Sequence, residues 1–276
     1  MAEMVSDISV VLGNYDVVDL SLMLAEDLPC FWSTHQPFQH KTWNWFTTER
    51  RPAGNVYNRS GPYATRWLVL DEHTGTHMDA PCHFVPPEGV GLPEASPAGA
   101  ITVADVSPRQ LIGPAAVIDA SGVTGTHAGM SPLIDSTVVL DWEEANGRLT
   151  AAEIVLFRTG WDRYYLPWPE GEDYLHHVVV TQRRPGWPAP SVPTMELLIE
   201  RGVRCVGIDA PSMGPAHDGR PVHLAGLRVG AVFVECLTGL HTLPSRGAWF
   251  CFLPLRLEGG TGAPGRAIAL NPRSDR

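Results

Sequence analysis

The chain has 276 residues, of which 44% are hydrophobic and 18% charged, with a formal net charge of −10. That balance excludes a disordered polar chain. Lys and Arg are scattered mostly singly, so no basic stripe exists to neutralise phosphates and nucleic acid is not an expected partner.

No segment reaches the apolar length of a membrane span, so no membrane partner is expected. The first residues, Met1 to Asp7, lack a basic region and an apolar run of signal length. The five cysteines (Cys30, Cys82, Cys205, Cys236 and Cys251) are odd in number and show no CxxC spacing, and a cytoplasmic location with reduced thiols is expected. The length suits one domain spanning residues 1–276.

In chain order, strand-like runs dominate. They are Tyr15 to Leu20, Thr65 to Asp71, Ala115 to Ala120, Ser136 to Leu140, Glu153 to Thr159, Arg204 to Asp209, Ala231 to Leu237, Trp249 to Leu257 and Arg266 to Leu270. All are rich in Val, Ile, Leu and Phe and are bounded by Gly, Pro, Asp or Ser. A helical turn is expected at Ser107 to Leu111. The clearest helix is Pro193 to Arg201, with Ser191 or Thr194 as its cap and Gly202 as its stop. Two long aromatic segments read as ordered loops. Thr34 to Gly61 carries Trp43, Trp45, Phe46 and Tyr57, and Trp161 to Pro193 carries Trp161, Tyr164, Tyr165, Trp168, Tyr174 and Trp187. Such segments either pack a satellite core or subunit interface, or wall a flat apolar pocket.

The densest chemistry lies in His73-Thr-Gly-Thr-His77-Met-Asp79-Ala-Pro-Cys-His83, which gathers three of the eleven histidines and an aspartate. Imidazoles with a carboxylate suit a divalent ion such as zinc or manganese. Gly75 between two threonines, with Pro81 close behind, disfavours a helix. In an extended segment His77 and Asp79 point to the same side, and a turn at Gly75 brings His73 beside them. Further on, Glu235 interrupts an apolar strand, where a carboxylate needs a strong partner. That partner is either a metal or an arginine such as Arg204 or Arg228. Asp209, at a strand end in Gly207-Ile-Asp209-Ala-Pro-Ser212, either caps the loop that follows it or supports a ligand histidine from behind.

The His-x-Gly-Thr-His-x-Asp-x-Pro-x-His pattern resembles the signature of the metal-dependent cyclase superfamily, which includes kynurenine formamidase-, isatin hydrolase- and trans-dienelactone hydrolase-like enzymes. The resemblance extends from about Val17 to Leu270. It implies an α/β fold of the swivelling β/β/α type, strand-rich with few helices. It also implies His73, His77 and Asp79 as metal ligands and His83 as the acid/base. His223 and Glu235, twelve residues apart, match a His–Glu pair that supplies ligands for a second ion; His217 is the competing histidine. Phe31 and Trp32 fall where relatives place an aromatic against the substrate.

Asp71 to His77, Phe157 to Asp162, Leu243 to Gly247 and Gly260 to Leu270 are similar to isatin hydrolase-like sequences, which use one ion and lack an acid at the position of Glu235. The implied cofactor is therefore zinc or manganese, one or two ions per chain. The implied activity is metal-dependent hydrolysis of an amide or lactone of a small aromatic or unsaturated compound. The ion would activate a water and His83 would shuttle the proton. A metal-dependent cyclase or dehydratase and a non-catalytic metal-dependent binder are the alternatives. The implied partners are a small-molecule substrate and further copies of the chain, in a homodimer or homotetramer.

Overall fold

The computed structural model describes residues 13–47 and 61–273; Tyr57 and the segment Met1 to Asp7 lie outside them. Twelve strands are present among the described residues. They are β1 (Tyr15–Asp19), β2 (Gln39–Thr47), β3 (Gly61–Val69), β4 (His77–Asp79), β5 (Ile112–Asp119), β6 (Leu133–Ile134), β7 (Ile154–Arg158), β8 (Ala189–Pro190), β9 (Cys205–Ile208), β10 (Val232–Glu235), β11 (Trp249–Pro254) and β12 (Gly262–Pro272). The helices among them are α1 (Ser136–Asn146), α2 (His176–Val179), α3 (Val192–Glu200) and α4 (Arg220–Leu227).

Seven strands close into a ring. Its order is β12-β11-β5-β7-β9-β10-β4, and β4 returns to pair with β12, while β1 flanks the outside of β12. The stretch from β5 through β7 and β9 to β10 is parallel, and the remaining pairings are antiparallel. The length of β12 makes closure possible. Gly262 to Pro264 pair with β4, Gly265 to Leu270 with β11, and Ile268 to Pro272 also with β1.

Side chains alternate across each strand, so the ring has two apolar faces. Met78, Val117, Leu156, Val234, Phe250 and Phe252 form one buried cluster inside it. Their neighbours in sequence, including Ile118, Phe157 and Phe233, belong to a second cluster, as does Val206 beside the inward-facing Cys205. There they meet Val139 and Trp142 of α1, Met195 and Leu198 of α3, and Val222 and Leu227 of α4. Burial on both faces explains why these strands read as continuous apolar runs.

The strand-rich expectation holds, and its errors are local. Ser136 to Leu140 is not a strand but the start of α1. Asp135 caps it by accepting from the Thr137 N–H at 3.0 Å, and Val139 and Trp142 are buried three residues apart. A five-residue window with two valines hides that period. The expected loop Thr34 to Gly61 contains β2, which pairs with β3. The helix expected at Pro193 to Arg201 begins one residue earlier, capped by Ser191, whose Oγ accepts from the Thr194 N–H. The turn at Ser107 to Leu111 is a 3₁₀ turn over Pro108–Leu111, with Ser107 at its start.

In the second aromatic segment Trp161, Tyr174 and Trp187 are buried in the outer core. Two indole N–H groups find backbone carbonyls, Trp161 on Tyr174 and Trp187 on Gly214. Trp161 and Trp187 thus serve core packing, while Tyr174 both packs in the core and borders a cavity also lined by Phe31 and Trp32.

Candidate metal centre

The motif builds its own geometry. Gly75 turns the chain at φ +61°, a backbone conformation that favours glycine, and a Cβ there would also have to push Leu24 Cδ2 aside from 2.3 Å. After the turn, β4 holds His77 and Asp79 on the outer face of the ring, with Met78 between them facing inward. The register with β10 sets Glu235 directly opposite His77, and cross-strand partners share a face. A 3₁₀ turn at Pro81–His83 follows and delivers His83. From the other side, α4 contributes His223, whose ring stacks on Phe84 with centroids 4.2 Å apart.

These six side chains converge. His73 Nδ1 is 2.9 Å and His77 Nε2 3.4 Å from Asp79 Oδ1. His223 Nε2 lies 3.5 Å from Asp79 Oδ2 and 3.3 Å from Glu235 Oε1, and His77 Nε2 lies 3.5 Å from Glu235 Oε2. The donor atoms of His73, Asp79 and His83 fall within 4.8 Å of one another, as do those of His77, Asp79 and Glu235. Asp79 is common to both sets. The His73 and His83 rings lie 4.1 Å apart, centroid to centroid.

The electrostatics follow from packing these groups together. Burial disfavours a charged His223, but the Asp79 and Glu235 carboxylates overcome it and raise the imidazole to about 10. His77 is likewise held well above its ordinary value against the cost of burial, chiefly by Asp79. Burial would raise Asp79, yet the four imidazoles around it hold it well below the usual carboxylate range. His83 goes the other way. Burial dominates there and pushes it down to about 4, so its imidazole is neutral at neutral pH.

Two observations test the fit to a divalent ion. Asp79 Oδ2 is fully buried and has no hydrogen-bond partner, a costly state for a carboxylate oxygen unless a cation meets it. The donors are imidazole nitrogens and carboxylate oxygens without a thiolate, a set suited to zinc or manganese. The residues fit a metal.

The competing assignments resolve geometrically. Glu235 has no arginine partner among the described residues. Arg204 donates to the Ile199 and Val203 carbonyls and Arg228 faces Glu94, whereas Glu235 accepts from the Met213 N–H at 2.5 Å and meets Ser212 Oγ at 3.4 Å. His217 sits apart from the cluster and accepts from the Ser131 N–H. Asp209 is a cap. Its carboxylate accepts from Thr159 N–H and hydroxyl and from Gly160 N–H, tying the loop after β7 rather than the loop that follows Asp209 itself.

Phe31 and Trp32 line a cavity of about 270 Å³ that opens onto His73, His77, His83, His223 and Glu235. Several contributors escaped the sequence reading. Phe84 directly follows His83, Ser212 shares its segment with Asp209, and helix α4 is not expected from the sequence. That helix has no side-chain cap, starts with a proline near its N-terminus and contains Gly226, so its sequence carries few helix signals.

Comparison with known proteins agrees with this geometry. The family model Cyclase, described as "Putative cyclase", matches residues 18–215. Isatin hydrolase from Roseibium aggregatum is 32% identical over 224 residues, covering 79% of this chain and 79% of that protein. Kynurenine formamidase from Salinibacter ruber is 30% identical over 239 residues, covering 83% and 87%. Among solved structures, isatin hydrolase A from Ralstonia solanacearum superposes with a TM-score of 0.77 at 26% identity, covering 98% of this chain and 97% of that one. The chain belongs to this cyclase family of metal-dependent hydrolases.

Proposed function

We propose that the chain hydrolyses an amide bond, cyclic or N-formyl, of a small aromatic compound. The observation that carries this reading is the buried imidazole–carboxylate cluster at the floor of a cavity walled by Phe31, Trp32 and Phe84. Flat apolar walls suit an aromatic ring, and the polar floor suits a carbonyl. The two proteins compared by sequence, an isatin hydrolase and a kynurenine formamidase, support the amide over the lactone.

His73, His77 and Asp79 would hold one ion, and Asp79, His223 and Glu235 a second. When bound, such ions polarise a carbonyl oxygen and acidify water. The protein's own groups do the rest. Phe31 and Trp32 orient the ring, and Phe84 braces His223. Neutral His83 takes the proton of the attacking water and delivers it to the leaving nitrogen. Zinc and manganese both fit the donor set, and the sharing of Asp79 between two ligand groups supports two ions.

The test is a panel of isatin, N-formyl anilines and lactones offered to metal-loaded protein. Turnover confined to lactones, or to none of the panel, would overturn the amide reading. Metal titration of the stripped protein should give two ions per chain, and Glu235→Gln should give one; a stoichiometry of one for both proteins refutes the second site.

Two coarser properties extend the reading. No helix among the described residues is long and apolar enough to cross a membrane, and all five cysteines are unpaired, which supports a reducing, cytoplasmic setting. The β2–β3 ribbon pairs with no other strand among the described residues and exposes Trp45, Phe46, Tyr63, Trp67 and Leu68, which supports a homodimer or homotetramer.

A further inference from the structure

The imidazoles of His73, His77 and His223 do not present the same nitrogen to the centre. His77 and His223 each place Nδ1 against a backbone carbonyl, Gly75 O at 2.8 Å and Gly219 O at 2.7 Å. A carbonyl only accepts, so each Nδ1 carries a proton, and it is Nε2 that each ring turns toward the carboxylates. His73 is reversed. Its Nδ1 faces Asp79, and its Nε2 meets the Thr261 hydroxyl at 3.2 Å. A hydroxyl can donate or accept, so on its own it leaves the tautomer of His73 undetermined.

Glu72 removes the ambiguity. Its Oε2 lies 2.8 Å from Thr261 Oγ1 and 2.8 Å from the Thr261 N–H, with the Gly262 N–H at 3.4 Å. An ionised carboxylate only accepts, so the hydroxyl hydrogen of Thr261 is committed to Glu72. Oγ1 is then left with lone pairs alone toward His73. We propose that Glu72 and Thr261 are positioning residues that fix His73 with its proton on Nε2 and its Nδ1 lone pair aimed into the metal centre.

The backbone supports the same arrangement. Thr261 and Gly262 begin β12, which pairs with β4, and Gly262 stands opposite Asp79 in the register. A Cβ on Gly262 would lie 2.4 Å from His73 Cε1, so the His73 ring is laid flat against this strand start. The His73 ligand is thereby fixed from a segment 188 residues away in sequence. Groups behind a ligand histidine set its orientation and basicity, and their loss typically costs 10- to 100-fold in metal affinity.

The inference rests on the metal-centre reading, so its test uses the ion alone. Metal-stripped protein is titrated with Mn²⁺ by calorimetry. Thr261→Val, which keeps the side-chain volume and removes the hydroxyl, should bind at the His73 site roughly 10- to 100-fold more weakly. Thr261→Ser should restore affinity to near wild type, which a merely steric role for the position would not require. Glu72→Ala should also weaken binding, because the Thr261 hydroxyl then loses its acceptor and its hydrogen can turn toward His73. Should Thr261→Val lose its fold by circular dichroism, the Glu72→Ala result decides. In zinc-loaded protein with ¹⁵N-labelled histidine, His73 should show its proton on Nε2. Affinity within twofold of wild type in every folded variant that lacks the relay, or a His73 proton on Nδ1, overturns the proposal. A wild-type protein that takes up no ion overturns the metal-centre reading itself, and this one with it.

Discussion

At the scale of single residues, the centre is a set of charges that would be costly without one another. Asp79 and Glu235 are 1% and 4% exposed, and a buried carboxylate without a counter-charge costs several kcal/mol (about 2–7 for a polar group, more for an ion). Protonated His77 and His223 supply that counter-charge in the absence of an ion. A divalent cation does the same work once it displaces those protons. Asp79 is the group shared by both proposed ligand sets, so Asp79→Ala should strip bound metal and abolish turnover; full occupancy by elemental analysis in that variant would refute its role. His83 differs because burial keeps it neutral. His83→Ala should retain most of its metal while losing on the order of 10²- to 10⁴-fold in rate, the usual contribution of a general acid/base. The structure makes this a sharp contrast, since His83 lies within ligand distance of His73 and Asp79. Metal loss equal to that of His77→Ala would move His83 into the ligand set.

At the scale of elements, the site depends on how strand ends are tied together. Asp209 closes β9 onto the loop after β7 through three donors, yet burial still raises its carboxyl to about 6, with nearby Asp162 adding to the shift. A carboxyl raised in the folded state binds protons more tightly there than in the unfolded chain. Its contribution to stability is therefore full below about pH 4 and is lost as pH rises through about 6. Urea unfolding of metal-free wild type and Asp209→Asn checks this. The stability of wild type relative to the variant should fall between those pH values by on the order of 2–3 kcal/mol and stay flat above. A difference independent of pH would show that Asp209 does not titrate in that window.

The elements also show where sequence reasoning reaches. The parallel strands were legible because burial on both faces leaves uninterrupted apolar runs, and β4 was legible from the alternation of His77 and Asp79. Helix α1 was not, because its buried positions, Val139 and Trp142, appear only in a window longer than the valine pair. The family resemblance, through the twelve-residue spacing, matched His223 to Glu235, but the packing that brings α4 over β10 is a tertiary fact. The relay from Glu72 through Thr261 to His73 joins two segments that were each noticed, and only the closure of β12 on β4 brings them together.

At the scale of the whole molecule, closure removes the ring's own sheet edges, whereas the β2–β3 ribbon, like β1 and the short β6–β8 pair, keeps an edge that no other described strand covers. Its strands pair with each other through a register shifted at Thr42/Asn44 and Trp45/Thr47, and with no other strand among the described residues. Trp45 is 61% and Phe46 59% exposed, alongside Tyr63, Trp67 and Leu68. Monomers rarely leave so many large apolar side chains together in water, and a ribbon of this kind gains most by lying on another copy. A stable dimer buries about 1,200–2,000 Å² in total, with aromatics at its centre carrying most of the energy. The double substitution Trp45→Ser, Trp67→Ser should therefore shift the protein toward monomer in light scattering coupled to size exclusion. Its circular dichroism should stay that of the wild type, because neither side chain belongs to either buried cluster. A wild-type protein that runs as a monomer at micromolar concentration, or a variant with unchanged oligomeric mass, would refute the ribbon as the contact between copies.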